Sequence, residues 1–277
     1  MKKALLTILI TMIVTAISAF KIFKTIVEMD EPQADRQEEI DSSILGEKRK
    51  LLIHLPAGYD PSQSYPVMYV LDGSSQDFRV AGIAEILDRA NTVPKMIIVG
   101  IPNTNRDRDL TPHYILQDTD GEIFGKGDQF LSFLTKEVIP FIESKYPTNQ
   151  YLMLAGHSRA GLFAYYAYLE QPEVFGAIFC FSPAFWRDDM IILDKAATFY
   201  ASTGREAPFI FMSLGTEENE KMKEAYDAMT YFLVGKKVKN LVHTYTPEAN
   251  HGNNLFYSTP IALKTWAEQM PTTSSSR

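Results

Sequence analysis

The 277-residue chain reads as an α/β fold, a mostly parallel central sheet with helices on both faces. Three observations carry that reading. Apolar runs of about four to eight residues recur along the chain, a length that suits buried strands better than helices. Segments with apolar residues at helical spacing alternate with them. Polar residues able to do chemistry follow the runs directly, and open α/β sheets bind ligands beyond the carboxyl ends of their strands.

Residues 20–40 are polar and acidic around Glu31-Pro32-Gln33-Ala34-Asp35 and read as a linker. A single catalytic domain is expected over 41–271, with a frayed tail at 272–277. Ile40 to Leu45 and Arg49 to Leu55 form two strands, joined at Gly46-Glu47 as an antiparallel hairpin. Pro66 to Leu71 is the first strongly buried strand, and Asp72-Gly73-Ser74-Ser75 ends it. Val80 to Ala90 is a helix with Ile83, Ile86 and Leu87 on one face. Met96 to Ile101 is the next buried strand. Residues 102–128 form a long polar loop, which inside a compact domain is usually functional. Gln129 to Lys145 is an amphipathic helix whose Phe130, Phe133, Leu134, Val138 and Phe141 stripe belongs to the core.

Tyr151 to Ala155 is a short strand, Gly156 to Gly161 a turn, and Leu162 to Ala167 a helix. Val174 to Phe181 is a strand ending at Ser182-Pro183-Ala184-Phe185-Trp186. A helix over Asp188 to Tyr200 follows, then a strand over Pro208 to Leu214 ending at Gly215-Thr216-Glu217-Glu218. Glu220 to Val234 is a helix and Leu241 to Tyr245 the last strand. The loop Pro247-Glu248-Ala249-Asn250-His251-Gly252 leads to a closing helix over Thr259 to Met270.

The chain is 45% apolar and 22% charged, ordinary for a globular protein. Its net charge of −7 and lack of basic runs in the body argue against nucleic acid as a partner. The single cysteine, Cys180, lies in an apolar run and reads as a buried hydrophobe, so no intrachain disulfide can form. Met1-Lys2-Lys3 precedes an apolar stretch from Ala4 to Phe20, with small residues at Ala16 to Ala19. Residues 1–19 therefore read as a signal peptide or, uncleaved, a membrane anchor, and imply an exported, periplasmic or secreted protein.

Ser158 sits between a buried strand and a helix, flanked by Gly156 and Ala160. This is the pattern of a nucleophile elbow, where the turn is so tight that neighbouring side chains collide. The bland alternative is a plain glycine-rich turn, and Ala160 departs from the usual terminal Gly. A serine hydroxyl needs a base to take its proton and a carboxylate to hold that base. Of five histidines, His251 lies in the loop after the last strand, where the base belongs. His54 and His243 lie within strands, and His113 sits in the long loop as a candidate substrate contact. His157 is expected to point away from the base position. Glu217, Glu218 and Glu220 all follow the preceding strand, and spacing prefers none of them. The backbone N–H groups of Arg159 and Ser74 are the expected oxyanion donors. The Arg159 side chain either lines the pocket toward an anionic substrate group or forms a surface salt bridge.

Several pieces occur in one order: Ser43-Ile44-Leu45-Gly46, Pro56-x-Gly58-Tyr59-Asp60, Tyr65 to Gly73, Arg106 to Pro112, Gly156-His157-Ser158, Ser182-Pro183 and Asn250-His251-Gly252. Together they resemble the Putative esterase family of α/β-hydrolases, and within it the bacterial siderophore-esterase-like branch. The resemblance covers about Ser42 to Ala267. It implies Ser158 as nucleophile, His251 as base and Glu218, from Gly215-Thr216-Glu217-Glu218, as acid. It also implies an aromatic pocket residue at Trp186, for which core packing is the alternative. Arg106 in the long loop is a further candidate substrate contact. The expected activity is hydrolysis of a small-molecule carboxylic ester without metal or cofactor. Acyl transfer by the same triad, and a non-catalytic binding protein on the same scaffold, are the alternatives.

Overall fold

The computed structural model describes residues 34–114 and 125–269. The expected signal peptide or anchor, most of the linker, part of the long polar loop and the tail lie outside the described residues. Eight strands form one sheet: β1 (Arg36–Ser42), β2 (Glu47–His54), β3 (Tyr65–Gly73), β4 (Ile97–Pro102), β5 (Thr148–His157), β6 (Ala177–Phe181), β7 (Phe209–Gly215) and β8 (Leu241–Thr246). Their order is β1-β2-β4-β3-β5-β6-β7-β8. The pairs β1–β2 and β2–β4 are antiparallel, and every later pair is parallel. The chain returns between parallel strands through helices, as such pairing demands.

Alternation along the strands divides the core between the two faces of the sheet. Val67, Tyr69 and Leu71 pack with Phe130, Phe133, Leu162 and Tyr165 in one cluster. Met68 and Val70 pack with Val80, Leu255 and Trp266 in the other. Both faces are covered, so β3 reads as a continuous apolar run rather than an alternating one. The α/β-hydrolase expectation for the fold holds.

Several boundaries differ from the sequence reading, each for a physical reason. Strand β1 begins at Arg36, inside the expected linker, and the chain turns over 43–46 with Gly46 at φ +68°. Only Ile40 and Ser42 of β1 are buried, so this edge strand has the polar composition of a linker. The long polar loop contains a short helix, α2 (Arg106–Leu110), capped by the Asn105 side chain accepting from the Arg108 N–H. The earlier helix α1 spans Asp77–Arg89. The expected helix over Gln129 to Lys145 is three pieces: α3 (Gly127–Phe133), a π-helical turn (Leu134–Val138) and α4 (Ile139–Lys145). Pro140 lacks an N–H and its ring crowds the carbonyl four residues back, which widens the turn before it.

Helix α5 (Arg159–Glu170) follows β5 without a gap. Helix α6 (Ile191–Ser202) starts late because Asp188, Asp189 and Met190 all have positive φ. Helix α7 is Glu220–Gly235. Helix α8 (Asn254–Gln269) begins five residues before the expected start at Thr259 and carries Pro260 inside it.

Candidate active site

Ser158 stands at the junction of β5 and α5 with φ 61° and ψ −118°, a strained conformation for a residue with a side chain. Its N–H donates to the Phe181 carbonyl on β6 at 2.9 Å, which anchors the turn to the neighbouring strand. Gly156 explains the tightness. A Cβ there would sit 2.3 Å from the Ala160 carbonyl oxygen and 2.8 Å from the Ala160 Cβ. The close approach is therefore borne by position 156, and the methyl of Ala160 is accommodated, fully buried.

His251 lies in the loop between β8 and α8. Its Nε2 is 3.0 Å from Ser158 Oγ and its Nδ1 is 2.9 Å from Glu218 Oε2. The loops that carry Glu218 and His251 are braced together. The Glu217 N–H donates to the Ala249 carbonyl at 2.8 Å, and a Cβ at Gly215 would sit 2.2 Å from that same carbonyl oxygen. Of the three carboxylates that spacing left equal, Glu218 alone is buried, at 4% exposure. Glu217 and Glu220 face solvent, and Glu220 pairs with Lys223.

The far oxygen of Glu218 is also held. Its Oε1 accepts from the Ser182 hydroxyl, and Ser182 Oγ accepts from Asn254 Nδ2 at 2.9 Å. Burial raises the Glu218 carboxyl, but hydrogen bonds from His251 and Ser182 outweigh it and hold the group below its ordinary value. Neither Ser182 nor Asn254 was singled out by the sequence as part of the acid's surroundings. The only signal was the polar Ser182-Pro183 pair at a strand end.

His157 corrects an expectation. Its ring lies against that of His251, with centroids 4.7 Å apart, rather than pointing away from the base. Burial pushes the His157 imidazole down to about 4, with the neighbouring His251 a second cause. At neutral pH it therefore adds no charge beside His251.

The remaining predicted residues divide. Arg159 is the first residue of α5, directly after Ser158, and N–H groups in a helix's first turn have no intrahelical acceptor. The Ser74 N–H instead donates to Asp77 Oδ1 at 2.7 Å, at the first residue of α1. Asp77 is itself held by His54 Nε2 at 2.7 Å. The Arg159 side chain bonds Thr111 Oγ1 and pairs with Asp107 at 3.1 Å, and it is largely buried. Arg106 forms a two-pronged pair with Asp72, at 2.7 and 2.9 Å, and reaches the His157 carbonyl at 3.4 Å. It thus braces the β3 loop to the elbow, and most of its donors are spent there. Trp186 is half-buried, with Lys221 Nζ 4.0 Å and Arg187 Cζ 5.0 Å from its ring centroid. His113 is exposed and packs edge-on against Tyr114. Cys180 is fully buried, and burial pushes its thiol up. Among the described residues, no cluster of His, Cys, Asp and Glu is placed to hold a metal ion.

A family model described as "Putative esterase" matches residues 42–275. The chain is similar to a siderophore enterobactin esterase of Emericella nidulans, 30% identical over 64% of this chain and 66% of that protein. It is also similar to the ferri-bacillibactin esterase BesA of Bacillus subtilis, 26% identical over 62% of this chain and 65% of that one. It thus spans about two thirds of the length of each. Among solved structures, an IroE-like serine hydrolase from Shewanella oneidensis superposes with a TM-score of 0.78 and 28% identity, over 84% of this chain and 80% of that one.

Proposed function

The chain belongs to the Putative esterase family and is a carboxylic ester hydrolase, and from that premise we propose that it cleaves its substrate through an acyl-enzyme on Ser158. One observation carries the reading: His251 bridges Ser158 Oγ at 3.0 Å and Glu218 Oε2 at 2.9 Å. Ser158 Oγ attacks the ester carbonyl carbon as its proton passes to His251 Nε2. Glu218 holds the Nδ1–H and stabilises the imidazolium. The Arg159 amide donates to the developing oxyanion, and the Ser74 amide joins it by exchanging its Asp77 acceptor for that oxygen. Collapse breaks the C–O bond, and the leaving alkoxide takes the proton from His251. Water then attacks the acyl carbon and gives a proton to His251 Nε2; the second collapse breaks the bond to Ser158 Oγ, which takes that proton back as the carboxylic acid leaves.

The two siderophore-named relatives support a siderophore-type lactone as substrate. A hydroxycinnamoyl or acetyl sugar ester and a simple short-chain ester are the competing classes, and Trp186 with its two cations offers a wall for an aromatic or anionic acyl group. A fluorophosphonate probe is expected to label Ser158 in the folded protein, and Ser158→Ala to lose both the label and p-nitrophenyl acetate hydrolysis. Equal cleavage by Ser158→Ala would refute the nucleophile. A screen of ester classes that includes a ferric siderophore tests the substrate. The charged Met1-Lys2-Lys3 start and apolar run support export, and an intact Met1 on protein recovered from the native cell's cytoplasm would count against it.

A further inference from the structure

Behind the buried acid lies a set of polar side chains that the proposed reaction does not use. Ser182, Ser213, Asn254 and Ser258 are all 0% exposed, and Thr246 is 4% exposed. They come from the ends of β6, β7 and β8 and from α8, so no local sequence pattern groups them. Asn254 Nδ2 donates to Ser182 Oγ at 2.9 Å and to Ser213 Oγ at 3.1 Å. Its Oδ1 accepts from Ser258 Oγ at 2.9 Å, and Ser258 and Thr246 hydroxyls are 2.7 Å apart.

Proton counting gives these bonds a direction. A hydroxyl has one proton. Ser182 accepts from Asn254, so its own proton goes to Glu218. Ser258 spends its proton on Asn254, so Thr246 donates to Ser258. The chain runs from Thr246 through Ser258, Asn254 and Ser182, and it ends on the carboxylate. Every member donates toward Glu218, an order that favours the ionised acid in a low-dielectric interior.

A second observation concerns Ser182 itself. Its φ is +43°, a left-handed conformation that a glycine adopts at no steric cost and a serine does not. The backbone would be better served by glycine, and what serine supplies at this strained position is its hydroxyl on Glu218. Strain held at one residue of a buried, fully connected network points to function.

We propose that Ser182 and Asn254 are positioning residues for the reaction: they fix the carboxylate of Glu218 in the plane and charge state that orient His251. The inference rests on the Ser158–His251–Glu218 reading. Its consequence is that the two residues act through Glu218 and through nothing else.

A double-mutant cycle tests this. Ser182→Gly should lower kcat about ten- to a hundredfold, the size of one hydrogen bond to a charged group, with KM unchanged. Glycine suits the positive φ, so the variant is expected to fold with an unchanged circular dichroism spectrum. In a Glu218→Gln background the same substitution should cost less than about threefold, because the residue through which it acts is already gone. Asn254→Asp keeps the size and the Ser258 contact but donates nothing, and should show the same non-additivity. If both costs are equal in the two backgrounds, the effect is structural and the inference is overturned while the triad stands. If Glu218→Gln alone leaves kcat unchanged, the triad reading itself fails.

Discussion

His157→Phe isolates the effect of burying an imidazole beside the proposed base. The His157 ring is pressed against His251, and Glu218 and Asp72 are the charged groups that also act on it. Burial is the main reason that it titrates at about 4 rather than at the 6.5 of an exposed histidine. Between those values the unfolded chain binds more protons than the folded one. Stability therefore rises with pH across the window and is lost as pH falls toward 4. At pH 4.5 the linkage removes about 2.5 kcal/mol of folding free energy relative to pH 7. Phenylalanine keeps an aromatic ring against His251 and does not titrate, so the variant should lose about 2.5 kcal/mol less than the wild type on acidification. The carboxylates that also titrate in this range are common to both proteins and cancel in the difference. Urea unfolding at pH 7 and pH 4.5 measures it. An NMR titration of the wild-type imidazole protons gives the same answer directly. Equal acid sensitivity of the two proteins, or a His157 resonance that titrates near 6.5, would refute the reasoning.

Other consequences are simpler to test. Glu218→Gln should reduce kcat by about a hundredfold to ten-thousandfold, whereas Glu217→Gln and Glu220→Gln should each change it by less than about threefold; a comparable loss at Glu217 or Glu220 would move the acid. Gly156→Ala forces a Cβ to 2.3 Å from the Ala160 carbonyl oxygen, and should cost about 3 kcal/mol in thermal unfolding and displace the elbow enough to abolish esterase activity. Full stability with full activity would show that the turn can relax. Cys180, fully buried and with its thiol pushed up, should resist iodoacetamide in the folded protein and react in urea. Rapid labelling of the native protein would contradict its burial.

Much of the site was legible in order along the chain. Ser158 declares itself because a strand, a glycine and a helix must surround a tight turn. His251 follows from its place after the last strand. The carboxylate that meets His251 was not legible by spacing, since three glutamates share one helix start, and only the family resemblance preferred Glu218. The helix from Asn254 was also missed. The closing helix was expected from Thr259, whereas Asn254 at its actual start is held by buried hydrogen bonds to Ser182 and Ser213. The linker reading failed at Arg36 because a polar edge strand is specified by pairing with β2, not by its own hydropathy.

The sequence by itself determined the mostly parallel sheet, the turn at Gly156-His157-Ser158 between a strand and a helix, and the place of His251 in the loop after the last strand. Those properties depend on periodicity and on close neighbours in the chain. The tertiary structure alone decided that Glu218 is the buried carboxylate, that His157 stacks on His251, that Arg106 is committed to Asp72, and that hydroxyls from three strands converge behind the acid. Each of those is a contact between residues brought together by the sheet order. Side-chain hydrogen bonds across strands leave no period in a sequence, and only the packed sheet sets their partners.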